Sequence, residues 1–102
     1  MIKIRKTPEF DDWLSGLNVK EQAQIEARLY RIEAFSHFGD CKLLQGTDSS
    51  IVELRWKNGW RVYFYRDGTN SIRILLGGKK NDQKEDIKKA KFLLRQHTHC
   101  EE

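Results

Sequence analysis

With 102 residues, of which 38% are hydrophobic, 33% charged and 11% aromatic, the chain can form one modest core and carries too many aromatics to remain disordered. It has no apolar run near the ~20 residues of a membrane helix, its opening MIKIRKTPEF lacks a signal-peptide core, and its two cysteines supply no disulfide framework. The expectation is a single domain, residues 1–102, in a reducing cytoplasm and with no membrane partner. The net charge of +4 is uneven: +3 over residues 1–8, −3 over 9–33 and +5 over 51–102. Such a balance suits either a solvated basic surface or one that meets phosphates.

In chain order, Ile2 and Ile4 alternate with Lys3 and Arg5, which predicts a short strand with one buried face. Thr7-Pro8 offers a helix cap and a first-turn proline, and Phe10, Trp13, Leu14 and Leu17 follow at helical spacing. Gly16 and Asn18 close this helix, and Asn18 with Glu21 reads as a capping box for a second. The second helix places Ala23, Ile25, Ala27, Leu29 and Ile32 inward and is expected to stop by Gly39, giving an antiparallel helical hairpin. Lys42–Leu44 fits either a short strand or a loop.

Residues 51–80 carry the strongest pattern, three β-rich runs punctuated by Asn58-Gly59 and Asp67-Gly68. A two-residue turn at Asn58-Gly59 would split Val52 and Leu54 from Val62 and Phe64 across the sheet. A three-residue loop with Gly59 left-handed instead pairs Trp56 with Trp60, Leu54 with Val62 and Val52 with Phe64, and so makes one face wholly apolar. This register gathers Glu53, Arg55, Arg61, Tyr63 and Tyr65 on the other face. Trp56 and Trp60 read as a cross-strand aromatic pair. Ser71–Gly77 reads as a third antiparallel strand, with Gly77-Gly78 allowing a tight turn. Asp82, with Glu85 as its partner, caps a last helix with an apolar stripe of Ile87, Ala90 and Leu94 and a basic flank of Lys84, Lys88, Lys91 and Arg95. The tail from His97 is expected to fray, and His97, His99 and Cys100 lack a second pair of ligands in Cys41 or His37, so no metal site is expected. The whole reads as a small α+β domain: a helical hairpin packed on the Leu54, Val62, Phe64, Ile72 and Ile74 face of an antiparallel sheet, joined by the N-terminal strand and followed by a C-terminal helix.

The runs Glu53-Leu54-Arg55, Gly59-Trp60-Arg61-Val62-Tyr63-Phe64 and Leu76-Gly77-Gly78-Lys79-Lys80, with Gln83, Asp86, Ile87 and Ala90 after them, resemble the RelE/ParE superfamily of toxins, most closely its HigB-like addiction module killer branch. The opening IKIRKTPEFDDWL and the FGDCK segment fit as well, so the resemblance spans nearly the whole chain. It implies a RelE-like fold and a toxin of a type II toxin–antitoxin system, neutralised by a cognate antitoxin, often a helix-turn-helix protein. It also implies metal-independent cleavage of mRNA on the ribosome, with no cofactor. Cleavage through the 2′-hydroxyl needs a base, cations around the phosphorane and an acid for the leaving oxygen. Glu53 is the candidate base, Arg55 and Arg61 candidate phosphate clamps and Lys80 a further cation. Lys57 and Lys79 are candidate RNA contacts, and Tyr63 and Tyr65 candidate stacking platforms. The C-terminal Tyr or His frequent in the family has no counterpart, which leaves the acid unassigned. Two other readings share the fold: a ParE-like inhibitor of DNA gyrase, and a non-catalytic RNA-binding or interaction module. On the bland reading of the same residues, Arg55 and Arg61 merely pair with Glu53 across the strands.

Overall fold

The computed structural model describes residues 1–44 and 51–99. Strand β1 (Lys3–Lys6) leads directly into α1 (Pro8–Ser15) and α2 (Val19–Phe35); β2 (Cys41–Leu43), β3 (Val52–Arg55), β4 (Trp60–Gly68) and β5 (Ser71–Lys79) follow, and a 3-10 turn (Lys80–Asp82) opens α3 (Gln83–His99). The five strands form one sheet in the order β1-β5-β4-β3-β2. β1 runs parallel to β5, so the sheet is mixed where an antiparallel one was expected. No hairpin joins these two strands, so nothing forces them to be antiparallel. The direction observed lets the end of β1 drop straight into α1 beneath the sheet.

Thr7 makes that junction. Its N–H donates to the Ile74 carbonyl (3.1 Å), its buried hydroxyl donates to the Leu75 carbonyl (2.7 Å), and the same oxygen caps α1 by accepting from the Phe10 N–H (3.1 Å). Leu75 is the unpaired residue of a bulge between the Tyr63–Leu76 and Phe64–Ile74 pairs, so the threonine satisfies a carbonyl the ladder leaves over. Thr7→Val keeps the shape and strands two buried backbone groups. It should destabilise the protein by about 2 kcal/mol, seen as a lower urea midpoint at constant slope; an unchanged midpoint would show that these bonds contribute nothing.

The capping box at α2 is complete: Asn18 Oδ1 accepts from the Glu21 N–H (2.8 Å) and Glu21 Oε1 from the Asn18 N–H (3.3 Å). α2 ends at Ser36, itself left-handed (φ 56°), before Gly39 is reached. The β3–β4 register is that of the three-residue loop, with Val52 opposite Phe64, Leu54 opposite Val62 and Gly59 at φ 102°. The second turn differs from expectation. β4 continues through Gly68, which pairs with Ser71, and the chain reverses at Thr69-Asn70. Asp67 is used in the strand: its carboxylate accepts from the Ser71 hydroxyl and lies 3.5 Å from Arg73 Nε. β5 likewise runs past the expected end at Gly77 to Lys79, so Gly77-Gly78 is strand and not turn.

Leu54, Val62, Phe64, Ile72 and Ile74 pack against Phe10, Leu14, Ile25, Leu29 and Ile32 in the core under the helical hairpin. Trp56 and Trp60 join this core but do not stack on each other. Trp60 meets Trp13 edge-on at 5.6 Å, and the Arg28 guanidinium lies 4.3 Å over Trp56. The opposite face is not open. Ala90, Leu93 and Leu94 of α3 cover Tyr63, Tyr65 and Leu76 in a second core, so the sheet is sandwiched between helices. α3 extends through His99, beyond the point where fraying was expected, and Cys100 lies outside the described residues. Asp82 belongs to the 3-10 turn that precedes α3, and the Gln83 N–H reaches the Lys80 carbonyl across it. Among the described residues no group of three His, Cys, Asp or Glu could hold a metal ion, and no helix is long and apolar enough to cross a membrane.

Candidate functional site

Alternation along β3 and β4 turns Glu53, Arg61 and Tyr63 toward α3, and α3 closes over them at its N-terminal end. Glu53 stands opposite Tyr63, and Arg55 opposite Arg61. Glu53 is 1% exposed. Its Oε2 accepts from Gln83 Nε2 at 2.6 Å, while Arg61 Nε stands 3.9 Å from the same oxygen. Arg61, whose side chain is 11% exposed, also donates through Nη1 to the carbonyls of Trp60 (3.0 Å) and Trp56 (3.3 Å). The guanidinium is thus tied to both the carboxylate and the hairpin bend. Beside them the Tyr63 phenol is pushed well above its ordinary value, first by burial and then by the Glu53 and Asp86 carboxylates. It is a neutral hydroxyl, buried beside the Glu53 carboxylate. Burial, followed by the neighbouring Asp82, also raises the Asp86 carboxyl above the usual range.

The exposed lysines sit outside this buried cluster, at the same end of the sheet. Lys57, Lys79 and Lys80 line a groove of about 490 Å3 with Asn58, Trp60 and Asn81. Lys79 Nζ lies 5.2 Å over the Trp60 ring, within the range of a cation–π contact. A second hollow of about 400 Å3 shares Glu21, Trp60 and Lys79 with this groove and continues it to Trp13, Asp82 and Asp86. Arg55 is set apart, paired at 3.1 Å with Asp40 and 37% exposed. The residues singled out by sequence therefore fall into a buried cluster (Glu53, Arg61, Tyr63), an exposed lysine groove (Lys57, Lys79, Lys80) and a surface ion pair (Arg55). Tyr63 is wholly buried and Tyr65 only 9% exposed. In this arrangement both belong to the α3 core, and neither offers a ring for a base to stack on.

A family model described as Phage derived protein Gp49-like matches residues 12–95. The chain belongs to this Gp49-like family. A relative in Haemophilus influenzae, named only as an uncharacterized protein, is 41% identical over 95 residues, covering 90% of this chain and 92% of its own. Among solved structures, the isolated Escherichia coli RelE toxin superposes with a TM-score of 0.63 at 14% identity, over 86% of this chain and 97% of RelE. A chain of the intact E. coli RelBE toxin–antitoxin complex gives 0.59 at 16%, over 78% and 96%. A metal-bound toxin from Helicobacter pylori gives 0.54 at 15%, over 80% and 98%. At such identities the likeness is one of fold: the Gp49-like chain has the RelE architecture, C-terminal helix included.

Three residues of this Gp49-like site carry no role in the sequence reading. Gln83 supplies the closest polar contact to Glu53. Asp86 lies so near the backbone that a Cβ on Gly78 would sit 1.9 Å from its Oδ2. Arg28 donates to the carbonyls of Arg55, Phe38 (2.7 Å) and Asp40 (3.1 Å), fastening α2 to the end of β3. Gln83 and Asp86 stand three apart at the start of an amphipathic helix, on the side that carries Ala90, and that spacing was the available signal.

Proposed function

We propose that this Gp49-like protein is the toxin of a type II toxin–antitoxin system, of the HigB-like branch, and that it acts in the cytoplasm as a metal-independent endoribonuclease on ribosome-bound mRNA. The RelE architecture supports the toxin reading, since its structural relatives include a toxin solved with its antitoxin. The observation that carries the nuclease reading is Arg61, a guanidinium held by Glu53 and the hairpin bend, at the same sheet end as the groove of Lys57, Lys79 and Lys80. In this reading the lysines take the RNA backbone and Arg61 stabilises the charge that grows on the scissile phosphate. Glu53, buried and bonded to Gln83, orients Arg61. A carboxylate so placed does not reach a 2′-hydroxyl, so the burial argues against it as the base. The cognate antitoxin, a helix-turn-helix protein in this reading, would cover part of this basic surface.

The same burial favours a second reading, in which Glu53 and Arg61 form only a structural pair and the protein is a ParE-like gyrase inhibitor or a non-catalytic module. Purified protein added to an in vitro translation reaction decides between them. Arrest with mRNA cut at defined positions is the expected result. Arrest with intact mRNA, or an SOS response in cells whose translation continues, would overturn the nuclease reading.

A further inference from the structure

Beside the neighbouring Tyr63 phenol, two side chains approach Oε2 of Glu53, and they are unequal. Gln83 Nε2 holds Oε2 at 2.6 Å, whereas Arg61 Nε stays 3.9 Å away from it. In a buried site an unhindered carboxylate and guanidinium close to about 2.8 Å, usually through two parallel bonds. Here Arg61 Nε has no hydrogen-bond partner, and Nη1 is turned to the carbonyls of Trp56 and Trp60. The amide that takes the close position comes from the first residue of α3, thirty positions away in sequence. The 3-10 turn Lys80–Asp82 places it there and carries Lys80 into the lysine groove on the way.

We propose that Gln83 is a positioning residue: its amide holds the Glu53 carboxylate in the pose that leaves Arg61 Nε 3.9 Å away, keeps it from swinging onto Arg61, and so leaves the guanidinium available to a phosphate. The contact couples two things the reaction needs, the seating of α3 on the sheet and the freedom of the cation beneath its first turn. An arginine locked into a buried bidentate pair is a poor phosphate ligand, since the pair must be broken before the anion is met. A neutral amide is suited to the role: it donates to Glu53 without adding a charge to the cluster, where a lysine would compete with Arg61 for the phosphate and a glutamate would repel Glu53.

This inference rests on the nuclease reading, and a double-mutant cycle in the full chain separates the two. Gln83→Met keeps the length and removes the amide. With Glu53 free to close on Arg61, mRNA cleavage in the translation assay should fall by roughly tenfold or more, chiefly in the rate of cleavage and less in RNA binding. Glu53→Gln removes the charge that would capture Arg61, so adding Gln83→Met to a Glu53→Gln protein should change cleavage by less than about threefold. A merely structural role for Gln83 predicts the same loss in both backgrounds, and that result would overturn the inference, as would full activity in Gln83→Met. If Gln83→Met melts far below the wild type, Gln83→Asn takes its place in both backgrounds. Its amide is one methylene too short for the contact and leaves the rest of α3 unchanged. A wild-type chain that leaves mRNA intact overturns the nuclease reading itself, and this inference with it.

Discussion

Gly77→Ala is expected to destabilise the fold by about 3 kcal/mol, lowering the melting temperature by roughly 10–20 °C. A Cβ at this position would stand 2.3 Å from Trp13 Cε3 and Cζ3 and 2.7 Å from Cη2. The ring is held by Trp60 edge-on at 5.6 Å and by Phe10 at 5.8 Å, so moving it off Gly77 breaks these contacts. The backbone is tethered too, because Gly77 is paired with Val62 of β4. Trp13 must swing toward the neighbouring hollow, α1 must lift or β5 must buckle, and each disturbs the packing beside the lysine groove. Gly59→Ala makes the contrast. Nothing lies within 4 Å of the added carbon, but φ is +102°, so the expected cost of about 1 kcal/mol comes from the backbone alone. Thermal melts of the two variants distinguish crowding from strain. Equal losses would show that the Trp13 contact has no special weight.

The parts of the fold that were legible are those that one local rule determines. Face alternation determined the β3–β4 register because a one-residue slip would have split Val62 and Phe64 from Val52 and Leu54 across the sheet. The capping box at Asn18 and the cap at Thr7 were readable because they need only residues three apart. Asp67-Gly68 misled because a turn dipeptide competes with tertiary partners. Ser71 and Arg73 draw the Asp67 carboxylate into the strand, and the reversal moves on to Thr69-Asn70. The direction of β1 was not legible, since four residues at a sheet edge carry no record of their neighbour's polarity.

Within the site, the alternation that placed Glu53, Arg61, Tyr63 and Tyr65 on one face was sound, but the solvation of that face was not a property of β3 and β4. The missing term was α3. Once Phe10, Leu14, Ile25, Leu29 and Ile32 fill one side of the sheet, a last helix with Ala90 and Leu94 along a stripe must bury that stripe against the other side. Tyr63 and Tyr65 then become core, and Glu53 becomes a buried anion that needs Gln83 and Arg61. The exposed lysines survived the change because they lie beyond the helix, at the end of the sheet.

That burial alters what removing Arg61 should do. On an open polar face Arg61→Ala would silence the protein and leave the fold untouched. Under α3 it should do both kinds of damage. The cleavage rate should fall by on the order of a hundredfold or more, because a charged contact that strengthens in the transition state is lost. Stability should also fall by about 3 kcal/mol, because Glu53, only 1% exposed, is left buried without the cation 3.9 Å away. Arg61→Lys divides the two effects. An ammonium still neutralises Glu53, so most of the stability should return, to within about 1 kcal/mol of wild type. It has no planar fork for a phosphate, so cleavage should stay depressed by roughly tenfold or more. Chemical denaturation and mapped mRNA cleavage on both variants resolve stability from activity. A purely structural Arg61 predicts that activity returns in step with stability in Arg61→Lys, and a folded Arg61→Ala protein that still cuts mRNA at the wild-type rate would end the assignment of Arg61 to the phosphate.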